Sequence, residues 1–235
     1  MRILLVHNQY QQPGGEDLVF ANEAALLRRN GHDVEILSVS NDAIQSPFSK
    51  LSTAILSSYN PQGYQLVADA IRRSGCDIVH VHNFFPRLSP AIFSACRKAN
   101  VPSVWTLHNF RVVCAGGMLF RDGTTCEKCL RGNVLPAIKH RCYRDSLPGS
   151  IAVAGMIGIH RWLGTWQHKV DRFISLTEFA RAKLVEGGLP LDKIAVKPNW
   201  VEDPVAQGLS IDVPRRGAVF VGRLSPEKGV HVLLE

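Results

Sequence analysis

The feature that most constrains this sequence is a repeated alternation of short apolar runs with longer amphipathic stretches. Residues 2–6 are apolar and end at polar residues, as a buried parallel strand does where it opens into a loop. An amphipathic stretch with acidic residues at its start follows and stops at Asn30-Gly31. Since this succession recurs along the chain, the sequence predicts an α/β fold with a doubly wound parallel sheet.

The same patterns predict a domain organisation. Residues 1–200 are expected to form one Rossmann-like domain with a cysteine-rich insertion at about 110–145, and residues 201–216 a linker. Residues 217–222 are predicted to be the first strand of a second Rossmann-like domain, 217–235. Because one strand and part of a helix cannot bury a core, we expect this second domain to be truncated. Strands are predicted at 2–6, 34–39, 77–82, 101–106, 170–176 and 194–196, and helices after residue 16 and at 64–74, 90–99 and 178–186.

The location of the charge narrows the classes of partner. The 235 residues carry 27 basic and 20 acidic side chains, a net charge of +7, and the excess is densest between residues 101 and 150. A local basic surface favours an anionic partner such as a phosphate, a diphospho-lipid or a membrane face. Nucleic acid is disfavoured because no basic run is interleaved with aromatic residues. With no signal peptide and no apolar window of spanning length, we expect a cytoplasmic protein, and peripheral contact at the inner membrane face stays open.

Polar residues stand where predicted strands end, which is the edge where open α/β sheets bind ligands. His80 and His82 are two apart on one strand and therefore point to the same face. A hydrogen-bonded or positioning role is favoured over zinc binding, since no third ligand is evident nearby. His108 and Asn109 follow the next strand, where an imidazole can exchange a hydrogen bond with a substrate hydroxyl. His108 is therefore the catalytic candidate.

Two loops have features that suit phosphate. Gly14-Gly15 lets the backbone approach a ligand, and the helix that follows offers its first N–H groups to an anion; a plain tight turn is the alternative. Arg223 and Lys228 flank a short loop before a predicted helix, where two cations would stabilise a diphosphate; a solvated loop is the alternative. The run 222–229 is the most specific motif in the chain.

Four cysteines in the basic stretch have the spacing C-x11-C-x2-C-x12-C: Cys114, Cys126, Cys129 and Cys142. In a cytosolic protein disulfides are disfavoured, and a C-x2-C pair flanked by two more cysteines suits a structural tetrahedral zinc. A metal would order the glycine-containing loops between them. Free thiols, a redox pair and an iron–sulfur cluster are alternatives, and His140 is an alternative ligand.

The segment from Leu147 to Trp166 is apolar and predicted to be helical, with Trp162 and Trp166 on one side. Basic residues flank the segment, so a helix in a membrane interface is one interpretation. A helix packed in the core is the more common outcome and is the interpretation preferred from the sequence.

With these motifs assembled, the chain resembles the family 4 retaining glycosyltransferases of GT-B fold, whose two Rossmann-like domains face each other across a cleft. The segment with the cysteines is similar to an insertion found in one branch of that family. The resemblance covers residues 1–235 and rests on motifs in the expected order: Pro13-Gly14-Gly15-Glu16, Val79-His80-Val81-His82, Thr106-Leu107-His108-Asn109, Lys197-Pro198-Asn199, and Gly222-Arg223-Leu224-Ser225-Pro226-Glu227-Lys228-Gly229.

The resemblance implies a hexosyl-type transfer from a nucleotide-sugar donor to a carbohydrate or lipid-linked acceptor, in polysaccharide or glycolipid assembly. Gly14 and Gly15 would then approach the donor phosphates or the acceptor, His108 would lie near the transferred sugar, and Arg223 and Lys228 would hold the diphosphate. In such enzymes the donor's own phosphate is thought to take the acceptor's proton, so no cofactor is required for catalysis.

The resemblance also implies acceptor-side roles for His80, His82 and Asn109. One departure concerns the family's acidic Glu-x7-Glu motif, which lies beyond Glu235, so this chain alone is expected to be inactive or nearly so. The alternative from another class is a zinc-stabilised α/β module that binds an anionic lipid or a protein without catalysis. A nicotinamide-dependent oxidoreductase is disfavoured, because the first loop lacks G-x-G-x-x-G and no acidic residue ends the second strand.

Overall fold

A parallel sheet forms the centre of the computed structural model, which describes residues 1–9, 14–41, 46–201, 216–222, 224–225 and 228–234. Within these residues the sheet has six strands: β1 Arg2–Gln9, β2 Asp33–Ser40, β3 Ile78–Asn83, β4 Ser103–Leu107, β7 Arg172–Ser175 and β8 Ile194–Val196. Their order is β2-β1-β3-β4-β7-β8, and every neighbouring pair is parallel. The predicted α/β fold with a parallel sheet is confirmed.

Hydrophobic packing on both faces makes the sheet doubly wound. Along β1, side chains alternate between two cores: Leu4 and Val6 belong to the larger one, whereas Ile3 and Leu5 pack with Phe20. The covering helices are α1 Gly15–Arg29, α2 Pro47–Leu56, α3 Pro61–Ser74, α4 Ala91–Ala99, α5 Leu135–Lys139, α6 Leu147–Trp162, α7 Thr165–His168 and α8 Glu178–Glu186. Because both faces of the strands are buried, β1 has a continuous apolar run instead of an alternating one.

Helix α2 was not predicted, and α3 begins three residues earlier than predicted. In both cases a side chain caps the helix: Ser46 Oγ accepts from the Ser49 N–H at 3.0 Å, and Asn60 Oδ1 accepts from the Gln62 N–H at 3.0 Å. A proline follows each cap at the first helical position, where its missing N–H costs nothing. These local signals set the starts of the helices.

The insertion between β4 and α6 is part of the main core. It contains a short antiparallel pair, β5 Phe120–Arg121 and β6 Thr124–Thr125, followed by α5. Val113 and Leu130 of the insertion are almost completely buried in the same cluster as the sheet residues. Packing of these apolar side chains therefore contributes to the order of a segment that has little regular secondary structure.

Two predictions about secondary structure are wrong. Residues 217–222 form no strand and are exposed, because among the described residues no neighbouring strand pairs with them. Trp162 and Trp166 do not share a helical side: the helix breaks at Gly164, which has φ 61°, and Trp166 on α7 is buried while Trp162 is 83% exposed. The predicted linker, 201–216, falls almost entirely outside the described residues.

Across the described ranges, the helices are all too short or too polar to pass through a lipid bilayer. The last described segment contains one short helix, α9 Val230–Leu234, whose start agrees with the predicted helix after the 222–229 motif.

Candidate active site

The carboxyl ends of β1 and β3 lie where the strand order of the sheet reverses. The chain passes from β1 to β2 on one side and returns to β3 on the other side of β1, which makes this edge the topological switch point. The register between β1 and β3 shifts at Val6 and His7, a bulge of the kind that redirects side chains beside sites. His7 at the end of β1 and His82 and Asn83 at the end of β3 are buried there.

A pocket at this edge brings together loops that are distant in sequence. His82 from β3 and His108 and Asn109 after β4 supply polar groups, and Glu16, the neighbour of Gly15, lies in the same wall. The rest of the lining is mostly aromatic or aliphatic and includes Phe84, Phe85, Trp105, Leu107, Val112, Met156 and Trp166. The N-terminus of α1 and His108 therefore border one groove, which is the arrangement that the predicted phosphate and catalytic residues require.

His108 is held by a hydrogen bond to a second histidine. Its Nε2 lies 3.1 Å from Nδ1 of His82, and the two rings are stacked with centroids 5.2 Å apart. His80, on the same face of β3 as predicted, has its ring centroid 4.5 Å from that of His82 and its Nε2 2.8 Å from Thr106 Oγ1. Three histidines predicted from strand ends thus form one contiguous cluster.

An ion pair between the buried Glu23 and the partly exposed Lys197 lies behind this cluster. Glu23 on α1 approaches two histidines, with Oε1 3.5 Å from His80 Nδ1 and Oε2 3.9 Å from His82 Nε2. Lys197, just after β8, places its Nζ 3.2 Å from Glu23 Oε2. The ammonium neutralises the carboxylate, so the buried Glu23 is not an isolated charge.

The position of Glu23 favours one of the two proton arrangements that the hydrogen bond between His82 and His108 allows. A carboxylate facing Nε2 of His82 favours a proton on that nitrogen, although 3.9 Å is too long for a hydrogen bond. His82 then accepts at Nδ1, and His108 donates from Nε2. In this arrangement Nδ1 of His108 carries no proton, and the His108 side chain lines the pocket. That nitrogen can accept a hydrogen bond from a ligand.

Burial keeps these imidazoles neutral at physiological pH. Burial, with a smaller contribution from the Lys197 ammonium, lowers the pKa of His80 to about 4. Burial is also the largest cause for His108, whose pKa falls to about 4, with smaller contributions from His7, His80 and Lys197. The pKa of His82 is lowered for the same reasons.

Glu23, His80 and His82 are also the group of described residues that could hold a metal, with ligand atoms within 4.8 Å of one another. Glu23 is thus the third ligand that was not evident from the sequence. Lys197 already neutralises that carboxylate at 3.2 Å, and a divalent cation would have to displace its ammonium. The geometry therefore favours hydrogen-bonded, positioning histidines, as the sequence-based interpretation does.

Gly14 and Gly15 form the start of α1, as predicted, and Gly14 is its N-cap. The Asp17 carboxylate accepts from the Gly14 N–H at 2.7 Å and from His7 Nε2 at 2.8 Å. One N–H group at the helix N-terminus is thus already hydrogen-bonded within the protein. Fewer N–H groups are available to an anion than the sequence suggested. Among the described residues, a side chain added at Gly15 would meet no atom within 4 Å, so that part of the structure leaves the backbone there accessible.

The remaining predicted residues have different placements. Asn109 lines the pocket, but its Oδ1 accepts from the Arg111 N–H at 3.0 Å, which makes it a turn residue as well. Arg223 lies outside the described residues. Lys228 is exposed, and none of the described groups of the site lies within hydrogen-bond distance of its side chain. Phosphate binding by Arg223 and Lys228 stays a prediction.

The four cysteines predicted to bind zinc are all partly buried free thiols. Burial is the largest cause of the raised pKa of Cys129, and the thiols of Cys114, Cys142 and Cys126 also raise it. The four thiols are therefore near enough to influence one another. Nevertheless, no three of their sulfur atoms are all within 4.8 Å of one another in the part of the chain that the structure describes. Zinc binding therefore stays a prediction.

Comparisons with known proteins agree with the resemblance. The profile of Glycosyltransferase Family 4 matches residues 13–203. A phosphatidyl-myo-inositol mannosyltransferase of Mycolicibacterium smegmatis is 25% identical over 243 aligned positions, which cover 96% of this chain and 51% of that protein. This chain thus spans about half the length of the curated relative that it matches.

Among solved structures, the UDP-GlcNAc 2-epimerase of Neisseria meningitidis bound to UDP-GlcNAc matches with 14% identity and a TM-score of 0.48, over 85% of this chain and 46% of that one. Anabaena HepE in complex with UDP matches with 14% identity and a TM-score of 0.43, over 86% and 45%. These are partial likenesses, and the fold is established by the strand order of this chain.

Proposed function

Since this chain belongs to Glycosyltransferase Family 4, we propose that it forms the acceptor-side domain of an enzyme that transfers a sugar from a nucleotide-sugar donor to an acceptor hydroxyl. The observation that carries the proposal is the pocket at the switch point of the sheet. It combines a neutral His108, whose Nδ1 can accept a hydrogen bond, with Glu16 at the start of α1 in the lining of the same pocket. Such an edge is where open α/β sheets bind ligands.

The proposed chemistry assigns a separate task to each group. The bond between the anomeric carbon and the donor phosphate breaks, and the acceptor oxygen forms the new bond. The departing phosphate takes the acceptor's proton on the same face, which retains the anomeric configuration, as the resemblance implies. Nδ1 of His108 accepts a hydrogen bond from a hydroxyl of the transferred sugar, and the hydrogen bond to His82 fixes the ring.

Glu23 and Lys197 have positioning roles in this scheme. Neither reaches His108, but Glu23 lies beside His80 and His82 and so selects the proton arrangement of the pair. Lys197 keeps the carboxylate paired and helps to hold the histidines neutral. A neutral imidazole is the form that can accept a hydrogen bond, so the ion pair supports the state that sugar recognition needs.

The relative supports a lipid-linked acceptor, because its name describes a transferase that acts on phosphatidyl-myo-inositol. For this chain we propose a carbohydrate or lipid-linked acceptor in polysaccharide or glycolipid assembly at the cytoplasmic face of a membrane, with no cofactor needed in catalysis. Arg223 and Lys228 are proposed to contact the donor diphosphate, since cations there would stabilise a leaving group whose negative charge grows as its bond breaks.

The test uses the protein expressed from its complete coding region and a panel of nucleotide-sugar donors. The panel contains UDP-sugars, GDP-sugars and sugars of other nucleoside diphosphates. We expect one donor to bind and to release its nucleoside diphosphate when acceptor lipids from the host membrane are added. The anomeric configuration of the product, measured by NMR, should equal that of the donor. Absence of affinity for every donor and for free nucleoside diphosphates would contradict the proposal.

We also propose that Cys114, Cys126, Cys129 and Cys142 hold a structural zinc. Purified protein is expected to contain about one equivalent of zinc, since such sites bind tightly. Elemental analysis by mass spectrometry provides the measurement, and a Cys126→Ser/Cys129→Ser variant should lose the metal. A Cys76→Ser variant is the control, because Cys76 is a buried cysteine that lies just before β3 and does not belong to the insertion. A zinc and iron content below about a tenth of an equivalent would remove the site.

A further inference from the structure

The outward face of α6 has no polar side chain. Its most exposed positions are Leu147, Ile151, Ile159 and Trp162, of which Trp162 is 83% exposed. The partly exposed positions between them are small: Ala152, Gly155 and Gly158. An exposed helix of a globular protein normally presents charged or polar residues to water, so a helix that is apolar on both faces indicates a binding surface.

The exposed residues form one continuous stripe. Positions 147, 151, 155, 159 and 162 follow one another at helical spacing, so their side chains lie along one line of the helix surface. A helix of 16 residues is roughly 24 Å long, and this stripe extends over its whole length. Leu163, directly after α6, is also exposed and extends the stripe.

Positive charge borders the stripe. The exposed basic residues Lys139, Arg141 and Arg144 precede α6 in the sequence, and Asp145 is the acidic residue among them. Arg144 lies against the Tyr143 ring, and the Tyr143 N–H donates to Ser150 Oγ at 2.9 Å, which places this arginine beside the first turn of α6. Helix α5, which packs against α6, ends at the exposed Lys139. The border therefore complements an anionic surface.

The inner face of the same helix borders the candidate active site. Met156 is buried on that face and lines the pocket that contains His108. Helix α6 therefore has one face toward the pocket and the opposite face toward solvent. A helix is about 10 Å thick, so a surface that covers the outer face would lie roughly that far from the pocket.

We propose that the outer face of α6 binds the surface of a membrane that contains anionic lipids, with the helix lying in the plane of the interface. An apolar stripe with an exposed tryptophan at one end and a basic border is the combination that suits this environment. Membrane binding does not depend on the transfer reaction. Its consequence, that the pocket is held close to lipid-linked acceptors, rests on the proposed function.

The experiment measures binding of the whole chain to vesicles by sedimentation. Vesicles with about 30 mol% phosphatidylglycerol in phosphatidylcholine are compared with pure phosphatidylcholine. We expect at least tenfold tighter binding to the anionic vesicles, and quenching of Trp162 fluorescence by brominated lipids. An Ile159→Ser/Trp162→Ser variant should bind at least tenfold more weakly, and Arg141→Glu/Arg144→Glu should abolish the preference for anionic lipid.

Phe179→Ser is the matched control, because Phe179 is 65% exposed on α8 and should not affect vesicle binding. All these positions are exposed, so circular dichroism should show folded variants. Equal binding to both vesicle types, absence of binding, or a dimer in solution that Ile159→Ser/Trp162→Ser dissociates would each overturn the inference. His108→Ala should keep vesicle binding, so failure of donor binding with intact vesicle binding rejects only the proposed function.

Discussion

Replacing His108 with alanine is expected to reduce the rate of sugar transfer by about 10²- to 10³-fold, the range found when one preorganised hydrogen-bonding group is removed from a site. The reason is the loss of the imidazole that lines the pocket and is proposed to accept a hydrogen bond from the transferred sugar. The measurement is kcat/KM for the best donor in the protein expressed from its complete coding region. His108→Gln, which retains an acceptor atom, should recover part of the loss.

His168→Ala is the matched control, because His168 is exposed on α7 and lies outside the pocket. The control should leave kcat/KM unchanged, and both variants should unfold at the temperature of the parent within a few degrees. A change of less than about tenfold in His108→Ala would contradict the catalytic role. The alternative, a zinc-stabilised binding module without catalysis, predicts no transfer in any variant and partner binding that the substitution leaves unchanged.

Acidification is expected to destabilise the protein strongly between pH 6.5 and pH 4. His80 and His108 have pKa values of about 4 in the folded protein, against an ordinary value of 6.5. The unfolded chain therefore binds more protons in this window, so the free energy of unfolding falls as the pH falls. At pH 4.5 each histidine costs roughly 2 to 3 kcal/mol, and together they approach the whole stability of a typical domain.

Urea unfolding followed by circular dichroism at a series of pH values measures this effect. A His80→Gln variant removes one titrating group, and its amide can replace the hydrogen bond to Thr106. Between pH 7 and pH 4.5 the free energy of unfolding should fall less in this variant than in the parent. The difference between the two decreases should be roughly 2 to 3 kcal/mol. A parent protein whose free energy of unfolding is the same at pH 7 and pH 5 would show that these histidines are not buried neutral.

The sequence predicted the strands of the sheet within a few residues. Strands of a parallel sheet are buried on both faces, so each one is a short, nearly continuous run of apolar residues in the sequence. Helix boundaries were less accurate where capping decides them, as at Asn60 before α3. The single helix expected from Leu147 to Trp166 ends instead at Trp162, since Gly164 adopts a left-handed conformation that periodicity does not reveal.

Strand ends also indicated the histidine cluster, but two of its partners were missed. Glu23 had a detectable signal, a charged residue at a buried position of α1 between Phe20 and Ala24. Lys197 belongs to one of the motifs on which the resemblance rests, yet no spacing relates it to a residue 174 positions earlier. Such pairs form only when the sheet brings β8 and α1 to the same edge.

The sequence by itself determined the class of fold, the family and the edge at which the site lies, because these follow from local periodicity and from motifs at strand ends. The tertiary structure alone decided which groups meet: the hydrogen bond between His82 and His108, the ion pair behind it, and the apolar outer face of α6. Whether a helical position faces the core or solvent depends on what packs against it, and α6 has apolar residues on its inner face and on its outer face. Its periodicity could not show which face stays uncovered.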